Sequence, residues 1–385
     1  MEQGSVLSRK IISHKRNEQY SYQKGYERGR LVGYERGYEE GIARGLQYTL
    51  LPIALVITAS KDLPTLKMMI YHPFDQLKKM GQYNFIVRTE DEVSREDLEL
   101  ASIVVFVRNV EPGAYRHLET AHELGKRTVY CIDDNFLEIP EGAQEYPYYK
   151  EPVHREVFVN FLRNAQHIHV NSEFFADYIR HHFNSRVTYF PATVDYEWLD
   201  QGVKPIRQDG QIVIGYEGTY KEDDFKPVVP AIKRLLEEYG SRIRVEFFGF
   251  IPSSLQGYPG VEHLPYEQDY RIFIHRLYGL AWDIGLAPLA DTLFNQCKTN
   301  NKFREYGACM IPGIYSKVPT YSSWVNHGET GYLVPHSEEG WYEAMKIMVE
   351  NPALRQKIKE RAEAFARNHF SIDACVENWK SQILS

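Results

Sequence analysis

The chain has few cysteines for its 385 residues: Cys131, Cys297, Cys309 and Cys375 stand far apart, with no CxxC pair. That spacing argues against a disulfide framework or a zinc site and fits a reducing compartment. Positive charge is not in excess either, since 45 Lys and Arg face 52 Asp and Glu for a net charge of -7. Sequence-independent nucleic-acid binding is therefore not expected. Long hydrophobic runs are missing too. The longest, near LLPIALVITA and ASIVVFV, reach about half of the ~20 residues that a membrane span needs, so they read as buried strands. The chain shows no signal peptide and no HExxH or GxSxG motif, which leaves secretion, metalloprotease and serine-hydrolase readings unsupported. His181 and His182 lack Cys or carboxylate partners at ligand spacing and are expected on the surface. What is present is ordinary globular material, 43% hydrophobic and 25% charged, in a chain long enough to predict two domains.

The first 48 residues stand apart. Gly25, Gly29, Gly33, Gly37, Gly41 and Gly45 recur every four residues, and Tyr22, Tyr26, Tyr34 and Tyr38 form a parallel row. The pattern matches no phosphate-binding loop, because polar helix formers surround every glycine. Each glycine costs a helix about 1 kcal/mol relative to Ala, so a stable helix here needs a partner packed on the bare stripe. Residues 20–47 are expected to self-associate or to dock a partner, against the simpler alternative of a frayed helix or flexible tail.

From residue 52 apolar strands alternate with amphipathic helices, first through ALVITA, NFIVRT, IVVFVR, RTVYCID, HIHV and VTYFP. After PATVDYEWLDQGVKPIRQDG the scheme restarts with QIVIGYEG, RVEFFGF, DIGLAPL and GIYS. The expected fold class is α/β: two tandem Rossmann-like, doubly wound parallel-sheet domains behind an N-terminal glycine-repeat helix. The expected divisions are 1–48, 49–200 and 201–385, with the last helix crossing back to the first sheet. Ligands of such sheets bind beyond the carboxyl ends of the strands, which points to the cleft between the halves.

The post-strand segments GYEGTYKEDDF, FFGF, WDIGLAPL, FNQCKTNNKFREYGACMIPGIYS and HGETGYLVP occur in order over residues 215–335. Together with PATVDYEWL at the domain boundary, this set resembles the family-4 glycosyltransferases, retaining enzymes of the GT-B fold, and most of all their bacterial cell-surface polysaccharide branch. The resemblance covers about residues 50–370 and leaves the glycine ladder outside. It implies transfer of a sugar from a nucleotide-sugar donor to a hydroxyl of a glycan, lipid-linked or protein-linked acceptor. It also implies no metal cofactor and a cytoplasmic location, with peripheral contact at the inner membrane face as an extension.

Against such a donor the residues divide by chemistry. A helix starting near Asn301 or Lys302 presents free N–H groups and its positive dipole end to a diphosphate. Lys298 and Lys302 add charge, on one face if the helix reaches back that far. Glu305, one turn in, is expected to accept from two ribose hydroxyls, as the matching family residue does; an ordinary Lys302–Glu305 helical ion pair is the alternative. Arg304 is expected to point away as a surface charge. Gly215 and Gly218 permit close backbone approach, or simply make a tight turn, while Thr219 and Lys221 stand where many relatives carry Arg and Lys. Cys297 replaces the first of two family Glu residues, shifting sugar recognition to Phe294, Asn295 and Gln296. Phe250, Leu264 and Tyr266 are expected at the base, or in the core. In the first half, Asp133 and Asp134 read as acceptor-orienting or proton-accepting carboxylates, with a metal-holding pair, or capping of the following turn by Asp134 or Asn135, as alternatives. Arg108 and Asn109 share that rim as acceptor-binding candidates, against the simpler expectation that both are merely surface-exposed. Two other functional classes remain open: a non-catalytic scaffold that docks partners through the N-terminal helix, and a nucleotide-sugar epimerase.

Overall fold

A computed structural model describes residues 51–61, 63–207 and 209–385; the glycine ladder and its tyrosine row lie outside them. Among the described residues twelve strands form two six-stranded sheets. The first contains β1 (Ile53–Thr58), β2 (Asn84–Thr89), β3 (Ile103–Val107), β4 (Arg127–Ile132), β5 (His167–Val170) and β6 (Val187–Tyr189). The second contains β7 (Ile212–Gly218), β8 (Ile243–Gly249), β9 (Val261–Leu264), β10 (Ile284–Ala287), β11 (Gly313–Ser316) and β12 (Tyr332–Val334). Their orders are β2-β1-β3-β4-β5-β6 and β12-β11-β10-β7-β8-β9, and every pairing within the sheets is parallel.

Val, Ile and Leu dominate the central strands because helices cover both faces, leaving no polar side to alternate toward. The IVVFV run of β3 is buried along its whole length, as is IALVIT of β1 after its first residue. Strand order reverses between β1 and β3 in one sheet and between β7 and β10 in the other. Loops leaving those strands diverge, and a crevice opens beyond their carboxyl ends.

The halves also exchange packing. The helix Ile372–Trp379, near the chain end, packs under the first sheet: Trp379 meets Phe74 edge-on at 5.0 Å between centroids and donates its indole N–H to the Met69 carbonyl at 3.2 Å. The Trp379 side chain is fully buried, and its burial contributes about 2–3 kcal/mol to holding that helix in place. The helical stretch after β1 passes through a π turn at Lys67–Tyr71 before His72–Lys79. Pro73 supplies no backbone N–H, so the ladder widens at this point and the chain stays helical rather than breaking.

Candidate active site

The site begins where β7 ends. Gly218 adopts φ +140°, and a Cβ there would lie 2.9 Å from the Tyr216 hydroxyl and 3.0 Å from Lys302 Nζ. Glycine thus leaves the space that the Lys302 ammonium uses. Lys302 lies in the first turn of the helix Asn301–Ala308, with Nζ 3.2 Å from Glu217 Oε1 and 4.9 Å above the Tyr216 ring. One turn on, Glu305 is 5% exposed and its Oε1 accepts from Arg304 Nη2 at 3.0 Å. Arg304 is completely buried and approaches Met68 Sδ at 3.1 Å, a contact from the second half to the first.

Across the cleft, Asp133 and Asp134 follow β4. Lys298 reaches over to Asp134 Oδ1 at 3.0 Å, with its ammonium 4.1 Å from the Phe294 ring centroid. Asp133 accepts from Thr65 Oγ1 at 2.6 Å and pairs with Arg108 Nε at 3.3 Å. Arg108 Nη2 lies 3.8 Å from Asp134, and the guanidinium covers Phe136 at 5.0 Å. Arg108 has φ 58°, a left-handed conformation that costs a non-glycine residue about 1–2 kcal/mol and bends the chain so that the guanidinium meets both carboxylates. These groups surround a cavity of about 260 Å³ whose wall includes Asp133, Asp134, Glu217, Gly218, Lys298, Lys302 and Glu305.

The helix mouth facing this cavity carries unused bonding capacity. Asn300, at its N-cap, makes no side-chain capping bond, and both of its amide atoms are buried without partners, as are Thr299 Oγ1 and Asn301 Oδ1. Buried polar groups normally find partners, so this concentration leaves bonding capacity for a ligand or for ordered water. An anion held by backbone N–H groups and the dipole end is the ligand such a terminus suits.

Charge states follow from the surroundings. Burial raises the Glu305 carboxyl to about 7 against the opposing pull of Arg304, and the neighbouring Glu217 carboxylate adds to the rise. Burial would lower the Lys302 ammonium, but Glu217 more than offsets it and the net shift is upward. Burial also works against ionised Asp134, yet Lys298 and then Arg108 hold it below the ordinary carboxylate range. Lys221 moves the other way: burial, reinforced by Lys298, lowers it to about 8 despite its 3.0 Å pairing with Asp224.

Of the residues singled out in the sequence, Lys298, Lys302, Glu305, Asp133, Asp134, Gly218, Thr219 and Tyr266 come together in the wall of this cavity. Others do not. Gly215 lies within β7 under Trp282, whose ring atoms would be 1.9 Å from a Cβ there, so its absent side chain seats an indole rather than a ligand. Phe250 packs with Tyr216 and Phe225 in the core of the second half, and Leu264 packs against Phe248 and its neighbours. Asn295 is buried and spends its amide on Asp224 and the Ala290 carbonyl, while Phe294 serves as the platform under Lys298. Asn109 is fully buried and bonded to Glu90 at 2.6 Å, behind the rim that Arg108 occupies.

Three local expectations change. Arg304 is no surface charge, because Met68 and Glu305 enclose it. Lys298 and Lys302 converge through a turn rather than along one helix face, since the short helix Leu293–Gln296 ends before Lys298 and the next begins at Asn301. The Lys302–Glu305 ion pair gives way to Lys302–Glu217 and Arg304–Glu305. Of the two capping candidates after β4, Asn135 is the one that caps, its Oδ1 accepting from the Leu137 N–H. Cys297 is fully buried in the core of the first half, 3.6 Å from Asn135 Nδ2, and burial raises its thiol to about 12. It is an inert contact between the halves. His181 and His182 end a helix on the surface.

Among the residues at this site, the sequence does not single out Glu217, and it turns Arg304 toward solvent. The signal for Glu217 was a lone carboxylate in the otherwise apolar strand QIVIGYEG; nothing local distinguished Arg304. Among the described residues no group of three His, Cys, Asp or Glu side chains is placed to hold a metal ion, and no helix is long and apolar enough to cross a membrane.

No family model and no curated protein matches the chain. Its structure is similar to that of HepE from Anabaena, solved with UDP and glucose, at a TM-score of 0.63 and 14% identity over 87% of this chain and 100% of that one. A glycosyltransferase from Rickettsia africae ESF-5 aligns at 0.61 and 13% identity over 86% and 97% of the two chains. Sucrose-phosphate synthase from Thermosynechococcus elongatus aligns at 0.60 and 14% identity over 86% and 98%. These likenesses define the fold class: two tandem Rossmann-like sheets in the GT-B arrangement found in glycosyltransferases.

Proposed function

We propose that the protein is a glycosyltransferase that moves a sugar from a nucleotide-sugar donor to an acceptor hydroxyl. The observation that carries this reading is the set of buried groups at the mouth of the Asn301–Ala308 helix: Lys302 beside Gly218, Lys298 in reach, and Glu305 one turn deeper. A diphosphate offers the helix terminus an anion and competes with Asp134 and Glu217 for the two lysines, and ribose hydroxyls donate the hydrogen bonds that Glu305 accepts. Residues 201–385 form the nucleotide-sugar half and residues 49–200 the acceptor half. Family-4 membership, anomeric retention and metal independence belong to this proposal, with Lys298, Lys302 and the helix terminus meeting the negative charge that grows on the leaving diphosphate.

Asp133 and Asp134, with Arg108 between them, orient the attacking hydroxyl of a glycan, lipid-linked or protein-linked acceptor, in cell-surface polysaccharide or glycoprotein synthesis in the cytoplasm. Residues 20–47 recruit a second copy or a partner, and peripheral membrane contact places the enzyme near a lipid-linked acceptor. The test is thermal-shift screening against UDP, GDP, dTDP and ADP sugars, followed by product analysis. Sugar transfer, or slow hydrolysis of one donor, supports the proposal. Epimerised sugar identifies an epimerase, and binding without turnover identifies a scaffold; either overturns it.

A further inference from the structure

The cavity wall is unusual in its charge pairing. Every cation named above already has a carboxylate: Lys298 with Asp134, Arg108 with Asp133, Arg304 with Glu305, Lys302 with Glu217 and Lys221 with Asp224. A diphosphate that draws Lys298 and Lys302 toward itself breaks two of these pairs. Asp134 keeps Arg108 beside it and has 22% of its side chain in contact with solvent. Glu217 has neither resource. Its side chain is 5% exposed, Lys302 is its ion-pair partner, and its Oε1 accepts no hydrogen bond. The Tyr216 hydroxyl beside it is buried and unpaired as well. A buried carboxylate stripped of its cation needs hydrogen-bond donors to offset its lost solvation.

We infer that Glu217 selects the donor's sugar: its carboxylate accepts hydrogen bonds from the hydroxyls of a neutral sugar and turns away a sugar bearing a carboxylate of its own. The inference rests on the nucleotide-sugar reading above and adds the substrate class. A neutral hexose carries several hydroxyl donors and satisfies Glu217 when Lys302 turns to the phosphates. A hexuronate brings a further negative charge into a wall that holds Asp133, Asp134, Glu217 and Glu305, and juxtaposed like charges are costly there. Glu305 is the less suitable selector, because Arg304 occupies one of its oxygens and shares its burial.

The experiment is calorimetric titration of the full chain and of Glu217→Gln with three probes built on whichever nucleotide binds among UDP, GDP, dTDP and ADP: the nucleoside diphosphate, its glucose conjugate and its glucuronate conjugate. The wild type is expected to prefer the glucose conjugate over the glucuronate by roughly tenfold or more. Glu217→Gln is expected to reduce that ratio several-fold while binding the bare diphosphate at least as well, since it removes a negative charge beside Lys302. A purely structural role would instead weaken all three probes together, and that result overturns the inference. Equal wild-type affinity for the two conjugates overturns it without any variant, so a Glu217→Gln protein that fails to fold leaves the test intact. Failure of every nucleotide to bind overturns the donor reading itself, and this inference with it; nucleotide binding with no sugar discrimination overturns only the role of Glu217.

Discussion

The two rims of the cleft hold similar residues in opposite ways. On the second-half rim, Arg304, Glu305 and Glu217 have side chains 0%, 7% and 5% exposed, locked in a helix start and a strand end. On the first-half rim, Arg108 and Asp134 are 21% and 22% exposed and sit on post-strand loops, in contact with water. Buried charges cannot be rearranged cheaply, whereas water-screened ones can. The second half therefore presents a preorganised receptor for a ligand of fixed shape. The first half presents carboxylates whose partners can be exchanged at lower cost.

Perturbing each rim in turn sharpens that contrast. The largest effect is expected from Arg304→Met, which leaves Glu305 as an uncompensated buried charge. Urea unfolding should report a loss of about 3–5 kcal/mol, and a loss comparable to that of a surface substitution would show that the second-half rim is not preorganised. Lys298→Ala removes the ammonium that joins Asp134 to the second-half rim. Turnover is expected to fall about 100-fold while donor affinity changes far less, as measured by steady-state kinetics beside calorimetry. Lys302→Ala should instead appear in binding, with about 1.5–3 kcal/mol lost for the bare nucleoside diphosphate.

Glu305 makes the contrast depend on pH. Only the ionised carboxylate accepts from both ribose hydroxyls, so donor affinity should fall as pH drops through about 7 and level off above it. Folding stability has the opposite sense, because the carboxyl is raised in the folded state: proton uptake stabilises the empty protein fully below the ordinary value of 4.5, and that stabilisation is lost as pH rises through about 7. Glu305→Gln should flatten both profiles. Arg108→Ala, on the screened rim, is expected to change stability least, by about 1 kcal/mol or less in thermal unfolding.

Much of this was legible in the sequence because it is local. The apolar runs IALVIT and IVVFV specify central parallel strands by their continuity, and the restart at QIVIGYEG marks the second sheet. Lys302 and Glu305 were found through their places at a helix start. Sequence reasoning failed where a residue's role depends on what another segment brings to it. Gly215 and Gly218 look equivalent in GYEG, yet Trp282 fills the space above one and the Lys302 ammonium fills the space beside the other. Helical periodicity turns Arg304 away from Lys302 and Glu305, and by itself that predicts exposure. Met68, 236 positions earlier, covers the direction in which it points.

By itself, the amino-acid sequence determined the two doubly wound sheets, the crevice beyond their strand ends, and the lysine and carboxylate at one helix mouth. Each of these follows from periodicity, propensity and spacing within a few residues. Only the tertiary structure decided how the charges are paired. Asp134 with Lys298 and Arg304 with Met68 join residues 164 and 236 positions apart, and Glu217 with Lys302 joins a strand end to a distant helix. Such partners are chosen by how two sheets and their loops meet, and burial at that meeting decides which charges are left for a ligand to satisfy.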